Sequence, residues 1–307
     1  MVALALAACD SSRTGGEGEG EGEGEAPTIP VPALDGEHQV VFMPTVAGIY
    51  VNDHTIFGDI SGLSLVGITG VSGNPHEERS FVAATAPAML GPWTEAEQPA
   101  LRTTDPGATE RVLWAPHVFL RPDTPDWQMA YYGGDEQVLL ATSEDGIAWT
   151  RQGLLLEAGR DPMVFQHDER YLLYAVEVVL VGGEEWPIIA VYSSADGRDW
   201  AEAGVALMGD EPRGDNRLWL ESPFLVERAG RFYLFVTHVS AGGVGYFRTD
   251  VHISDDPLSF DHPPVTSLDA HAAEVVEAEG RMWLTSGGWP KYVGEDLGLK
   301  IAPLIWR

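Results

Sequence analysis

Five short segments of one layout recur along this chain, and no other property restricts its fold as strongly. They are Asn52-Asp53-His54-Thr55-Ile56, Trp114-Ala115-Pro116-His117-Val118, Arg160-Asp161-Pro162-Met163-Val164, Glu221-Ser222-Pro223-Phe224-Leu225 and His271-Ala272-Ala273-Glu274-Val275. Each precedes a turn and an apolar run, at residues 63–69, 127–132, 171–176, 232–237 and 282–286. A second element recurs between them, a turn that closes on an aromatic: Gly91-Pro92-Trp93, Ser143-Glu144-Asp145-Gly146-Ile147-Ala148-Trp149, Ser194-Ala195-Asp196-Gly197-Arg198-Asp199-Trp200 and Ser254-Asp255-Asp256-Pro257-Leu258-Ser259-Phe260. Asp-Gly in such a place is hairpin chemistry, with glycine supplying the positive φ.

From residue 36 onward, short runs rich in Val, Leu, Tyr, Phe and Trp are broken by Gly, Pro, Asp and Asn, and no 3.6-residue periodicity lasts beyond two turns. The repeat centres, at positions 54, 116, 162, 223 and 273, are 62, 46, 61 and 50 residues apart. Units of that length hold about four short strands each, and radial repetition protects sheet edges. The sequence therefore predicts an all-β fold, a five-bladed β-propeller over residues 37–307. A single all-β domain of that size is ordinary.

The segments before it read differently. Residues 10–36 alternate Gly and Glu from Gly16 to Glu25 and end in Pro-rich sequence, so they cannot bury enough apolar surface to fold and read as a tether. Residues 2–8 are wholly apolar, and Leu6-Ala7-Ala8-Cys9 resembles the cleavage box of a bacterial lipoprotein signal, although no Lys or Arg precedes it. That resemblance makes residues 1–9 a lipoprotein-type signal in which Cys9 becomes the lipidated first residue, and it implies export to the bacterial cell envelope and membrane contact through that lipid alone. Cys9 is the only cysteine, so neither a disulfide within the chain nor a cysteine metal cluster is possible. Net charge is -29, of which the first 26 residues supply only -5. An acidic folded part argues against nucleic acid as a partner and suits a neutral one, such as a sugar. A monomer is expected.

In a propeller the first strand of each blade lines the central channel, so the repeats bring Asp53, Asp161 and Glu221 from three blades toward one place. Carboxylates gathered in a funnel raise one another's pKa, which keeps one of them protonated as an acid. Glycoside hydrolysis needs such a set: one carboxyl group protonates the leaving oxygen and another attacks the anomeric carbon or activates water. The trio Asn52-Asp53, Arg160-Asp161-Pro162 and Glu221-Ser222-Pro223 resembles the three catalytic motifs of five-bladed propeller glycosidases of families 32 and 43. The resemblance covers residues 37–307 and implies roles: Asp53 as nucleophile or general base, Asp161 as the residue that holds sugar hydroxyls and tunes the acid, and Glu221 as general acid. It departs from both families, since His54-Thr55-Ile56 follows Asn52-Asp53, Ser222 stands where family 32 has Cys, and His117 stands where family 43 has Asp. Retention and inversion both stay open.

The alternation of a strand raises an objection. Glu221 holds the first place of its segment and the two Asp residues the second, and neighbours in a regular strand face opposite ways. Either Glu221 precedes its strand or the motifs are offset by one. Glu274 shares the parity of the Asp residues and is the reserve acid. Asn52, His54, His76, Arg160, Trp114 and His117 are candidate sugar contacts, and Trp219 and Asp215 could also reach the substrate. Core packing for the tryptophans and structural hydrogen bonds for the histidines are the competing readings. No cofactor is required. His271 is a candidate for a structural calcium, because some family 43 members place a His near a central calcium ion. The functions left open are a glycosidase acting on fructosides, arabinosides, xylosides or related oligo- or polysaccharides, a family 130 type phosphorylase, and a carbohydrate-binding propeller without catalysis.

Overall fold

Strand-forming residues between turn signals leave little scope for helix, and the computed structural model is built of 22 strands with, among the described residues, one 3-10 turn at Pro75–Glu77. The structure describes residues 29–46, 48–59, 61–214, 219–239, 248–260, 263–288 and 297–307. Cys9, the tether to residue 28, and Asp215 lie outside the described residues.

Five antiparallel sheets follow one another as blades of a β-propeller. The first blade is β3 (Tyr50–Asp59), β4 (Gly62–Gly70), β5 (Ser80–Ala86) and β6 (Thr94–Glu95), with β7 (Leu101–Arg102) also on β5. The second is β8 (Trp114–Phe119), β9 (Trp127–Gly134), β10 (Gln137–Ser143) and β11 (Thr150–Leu156). The third is β12 (Arg160–His167), β13 (Arg170–Val181), β14 (Glu184–Ser194) and β15 (Ala201–Met208). The fourth is β16 (Trp219–Arg228), β17 (Arg231–Val239), β18 (Arg248–Ser254) and β19 (Thr266–Asp269). The last joins β20 (Val275–Ala278), β21 (Arg281–Ser286) and β22 (Leu299–Trp306) to β1 (Pro32–Leu34), with β2 (Gln39–Phe42) also on β22. β1 lies in the stretch that the sequence assigns to the tether. It pairs Pro32 to Leu34 with Trp306 to Leu304, so the propeller's strands begin before residue 37.

Apolar side chains fill the gaps between blades, and aromatic pairs bridge four of the five. Phe81 meets Tyr131 (centroids 5.8 Å), Phe119 meets Tyr171 (6.3 Å), Phe165 meets Phe232 (6.4 Å) and Tyr233 meets Trp306 (4.5 Å), all near edge-on, the arrangement aromatic quadrupoles favour. Between the last blade and the first, Trp283, Leu299 and Ile301 pack with Val51 and Leu65. The Ser-x-Asp-Gly turns form as the sequence predicts. Ser143 Oγ accepts from Gly146 N (2.9 Å), and Asp145 Oδ1 accepts from Ile147 N and Ala148 N; Ser194, Asp196 and Gly197 repeat this one blade on. Gly146 and Gly197 take φ of +74° and +71°.

One irregularity recurs in every inner strand. Val51 and His54 pair with Thr69 and Gly67, so Asn52 and Asp53 together face one residue, Ile68. In the same way Ala115-Pro116 face Tyr131, Asp161-Pro162 face Ala175, and Ser222-Pro223 face Val236. Bonds from Gly287 N to the His271 carbonyl and from Thr285 N to the Glu274 carbonyl set Ala272-Ala273 opposite Ser286. These are β-bulges, in which an extra residue breaks the alternation. Ala115, Asp161, Ser222 and Ala272, the first residue of each of four bulges, have φ between +45° and +52°. Such a backbone costs an L-residue on the order of 1–2 kcal/mol. Ala115 is buried, so Ala115→Val should lower stability by about 2 kcal/mol or more in urea melts, because a β-branched side chain fits the left-handed region worst. A valine variant with the wild-type midpoint would show that the bulge is not locked.

Candidate active site

The bulges correct the register expected from sequence spacing. The ladders align Asp53 with Pro116, Pro162 and Pro223, and not with Asp161; Asp161 aligns with Asn52 and Ser222, and Glu221 with Val51, Trp114 and Arg160. The three acids therefore hold three successive positions of the inner strand. Glu221 precedes its bulge, Asp161 opens one and Asp53 ends one. Strict alternation does not hold across a bulge, and the parity objection to Glu221 falls away.

Contacts join the trio. Ser222 Oγ donates to Asp53 Oδ1 (3.1 Å), and Ser222 N donates to Asp161 Oδ2 (3.2 Å). Arg160 divides its guanidinium between Asp161 Oδ2 (3.0 Å) and Glu221 Oε1 (3.1 Å). Asp161 is buried, while Glu221 and Asp53 remain partly accessible. Asp53, Asp161, Ser222 and other bulge residues line a channel together with the residue that follows each bulge: His54, His117, Met163, Phe224 and Glu274. Its free volume of about 30 Å³ admits a water or two and not a sugar ring.

The remaining candidates divide by depth. His54 is buried; its Nδ1 lies 3.1 Å from the Asn52 carbonyl and its Nε2 2.7 Å from Thr285 Oγ1, and burial pushes its pKa down. His117 is buried too, with Nε2 donating to the Val164 carbonyl (3.0 Å) and Nδ1 3.7 Å from Glu274 Oε1. Glu274, the reserve acid, lies in the channel lining and accepts from Ile56 N (3.2 Å). Asn52 is enclosed, held through Oδ1 by His271 Nε2 (2.7 Å). Among the described residues no three His, Cys, Asp or Glu side chains are grouped to hold a metal. At the rim, Trp114 is half-buried, stacks on Tyr132 (5.2 Å) and donates Nε1 to the Pro75 carbonyl, with exposed His76 beside it. The Trp219 ring meets the guanidinium groups of Arg160 (4.9 Å) and Arg213 (3.4 Å), and Arg213 also pairs with Glu185.

Sequence reasoning missed Glu78. It sits in the loop between β4 and β5, where nothing distinguishes it from Glu77, yet it is 1% exposed and accepts from Tyr50 Oη (2.8 Å) and Asn52 Nδ2 (3.3 Å). Sequence reasoning likewise assigns no contacts to Ser222 and Arg213. Burial raises the pKa of Glu78 to about 7, with Glu221 and Asp161 adding to the shift and its two hydrogen bonds opposing it. Burial also pushes Asp53 well above the usual carboxylate range, reinforced by Asp161, Glu221 and Glu78 and opposed by Ser222.

A raised carboxyl binds its proton more tightly in the folded chain than in the unfolded one. Stability is then fully present below the unfolded pKa and falls as pH rises through the folded one. For Glu78 that window runs from 4.5 to about 7, and the loss is on the order of 3 kcal/mol. Urea melts at pH 4.5 and 8 should show wild type weaker at pH 8, and Glu78→Gln should narrow the difference; an unchanged difference would show that Glu78 is not the group responsible.

No protein-family model matches the chain, and no curated protein matches it. Solved structures do resemble it. A thermostable family-43 glycoside hydrolase superposes with a TM-score of 0.63 at 16% identity, over 86% of this chain and 91% of that one. The GH43_1 enzyme from Xanthomonas citri complexed with xylose gives 0.61 at 15%, over 86% and 90%. Sucrose-6-phosphate hydrolase from Lactobacillus gasseri gives 0.62 at 17%, over 83% of this chain and 58% of that one. The likeness shows the fold, a five-bladed β-propeller.

Proposed function

We propose that this chain is a glycoside hydrolase that cleaves furanoside or pentoside linkages, such as those of fructosides, arabinosides or xylosides. One observation carries the reading: Asp53, Asp161 and Glu221, from three blades, are tied together by Arg160 and Ser222, with Asp53 and Asp161 lining the central channel. The propellers it resembles include glycoside hydrolases, which supports the same reading. Glu221 donates a proton to the leaving oxygen as the glycosidic C–O bond breaks. Asp53 takes a proton from the attacking water or attacks the anomeric carbon itself. Asp161, fixed by Arg160 and Ser222 N, holds hydroxyls of the sugar. On sequence grounds alone, the reading also places the enzyme in the cell envelope through Cys9.

The environment of Asp53 adds a condition. Its raised pKa favours the protonated form, whereas a base or nucleophile must be ionised. Activity should therefore be lost as pH falls, along a limb above the usual carboxylate range. A phosphorolytic reading has one observation in its favour, a second guanidinium, that of Arg213, against the same Trp219 ring as Arg160. Turnover that depends on inorganic phosphate would establish it.

The test is a panel of aryl furanosides and pyranosides. Asp53→Asn and Glu221→Gln should each lose about 10²- to 10⁴-fold in kcat, the usual contribution of a positioned acid or base. Asp161→Asn should move the acid limb of kcat/KM to lower pH, since Asp161 is the strongest charged neighbour raising Asp53. Sugar binding without turnover of any substrate would replace the hydrolase with a carbohydrate-binding propeller.

A further inference from the structure

The first blade's bulge differs from the other four. Ala115, Asp161, Ser222 and Ala272 hold theirs with a left-handed backbone, but neither Asn52 nor Asp53 has a positive φ. Side chains hold this bulge instead. The Asn52 amide donates Nδ2 to Glu78 Oε1 and accepts at Oδ1 from His271 Nε2, and the Asn52 carbonyl faces His54 Nδ1. Glu78 Oε1 also accepts from Tyr50 Oη, on the same strand two residues earlier. The loop that delivers Glu78 is itself tied down: Asn74 Oδ1 accepts from His76 N, Glu78 N donates to the Pro75 carbonyl, and the Glu78 carbonyl accepts from Leu113 N just before β8. Glu78 thus joins the first two blades through its backbone and grips β3 through its side chain. The titratable and charged groups around it are Tyr50 and Asp53 on β3, Glu77 on its own turn, Asp161 on β12 and Glu221 on β16.

We propose that Glu78 is a positioning residue: by holding Tyr50 and Asn52 it fixes the Asn52-Asp53 bulge and so aims the Asp53 carboxylate at the substrate. This rests on the hydrolase reading for its consequence in catalysis, but the geometric claim stands apart from it. A carboxylate so placed need not touch substrate. Displacing a reacting group by about 1 Å costs on the order of 10²-fold in rate.

Glu78→Ala removes the oxygen that accepts both bonds, and kcat should fall about 10²-fold with little change in KM. Glu78→Gln keeps an oxygen for both donors and should recover most of kcat. It should also shift the acid limb of kcat/KM downward, because one negative neighbour of Asp53 is gone; a merely structural role would leave that limb in place. A Glu78→Ala enzyme with kcat within threefold of wild type, a loss confined to KM, or a Gln variant as impaired as the Ala variant would each overturn the proposal. Should Glu78→Ala fail to fold, Tyr50→Phe removes one of the two bonds and should lower kcat about tenfold, a partial loss of the same positioning; wild-type kcat there would count against the proposal. A crystal structure of Glu78→Ala gives a reading independent of turnover. Separation of Asp53 from Ser222 Oγ supports the proposal even if no glycoside is cleaved and the hydrolase reading fails. Asn52 and Asp53 left in place overturn it.

Discussion

The arrangement at the funnel depends on the bulge that every inner strand carries. An unbroken strand would show alternate residues to the channel, and one blade could then offer the site few adjacent side chains. Setting two residues opposite one lets consecutive positions face the axis, and the three acids exploit it from three successive positions. Pro116, Pro162 and Pro223 end three of the bulges, and a residue without an N–H leaves no donor unpaired where the ladder skips. Four left-handed residues cost on the order of 1–3 kcal/mol each. The apolar layers between blades can sustain that strain because each fully buried side chain of Val, Leu, Ile or Phe contributes about 1.5–3 kcal/mol.

Charge is the second constraint. Asp53, Asp161, Glu221 and Glu78 influence one another's charge, and Arg160 pairs with Asp161 and Glu221. Burial raises the pKa of both Asp53 and Glu78, and neighbouring carboxylates add to each shift, so a bound proton is favoured on both. Such a site is a cost to the folded state at neutral pH, and the same neighbouring charges tie the protonation of one carboxyl to that of the next.

Much of this was legible in the sequence, because repetition is a long-range signal that survives ignorance of any one strand. The five segments gave the blades, the Asp-Gly turns gave hairpins, and Asp53, Asp161, Glu221 and Arg160 lie together as the motif order implied. What failed was register. A bulge has no composition of its own in Asn52-Asp53, so the first segment aligned one place early against Pro116, Pro162 and Pro223. Glu78 was illegible for a different reason: its contacts with Tyr50 and Asn52 span 28 and 26 residues, and no local pattern separates a buried loop acid from the exposed Glu77. The edge strand at Pro32–Leu34 was hidden by its prolines, which suit the edge it occupies because an edge leaves N–H groups unpaired in any case.

The first blade shows how backbone and chemistry are divided in this fold. Four blades set their bulges locally, through a left-handed residue, and would keep that geometry whatever the state of the funnel. The first sets its bulge through hydrogen bonds to an acid that titrates near pH 7, and it carries Asp53. Protonation of Glu78 removes charge from beside Asp53 without removing the oxygen that Tyr50 and Asn52 donate to. Position and electrostatics at Asp53 are therefore separable in principle, the oxygen of Glu78 governing one and its charge the other.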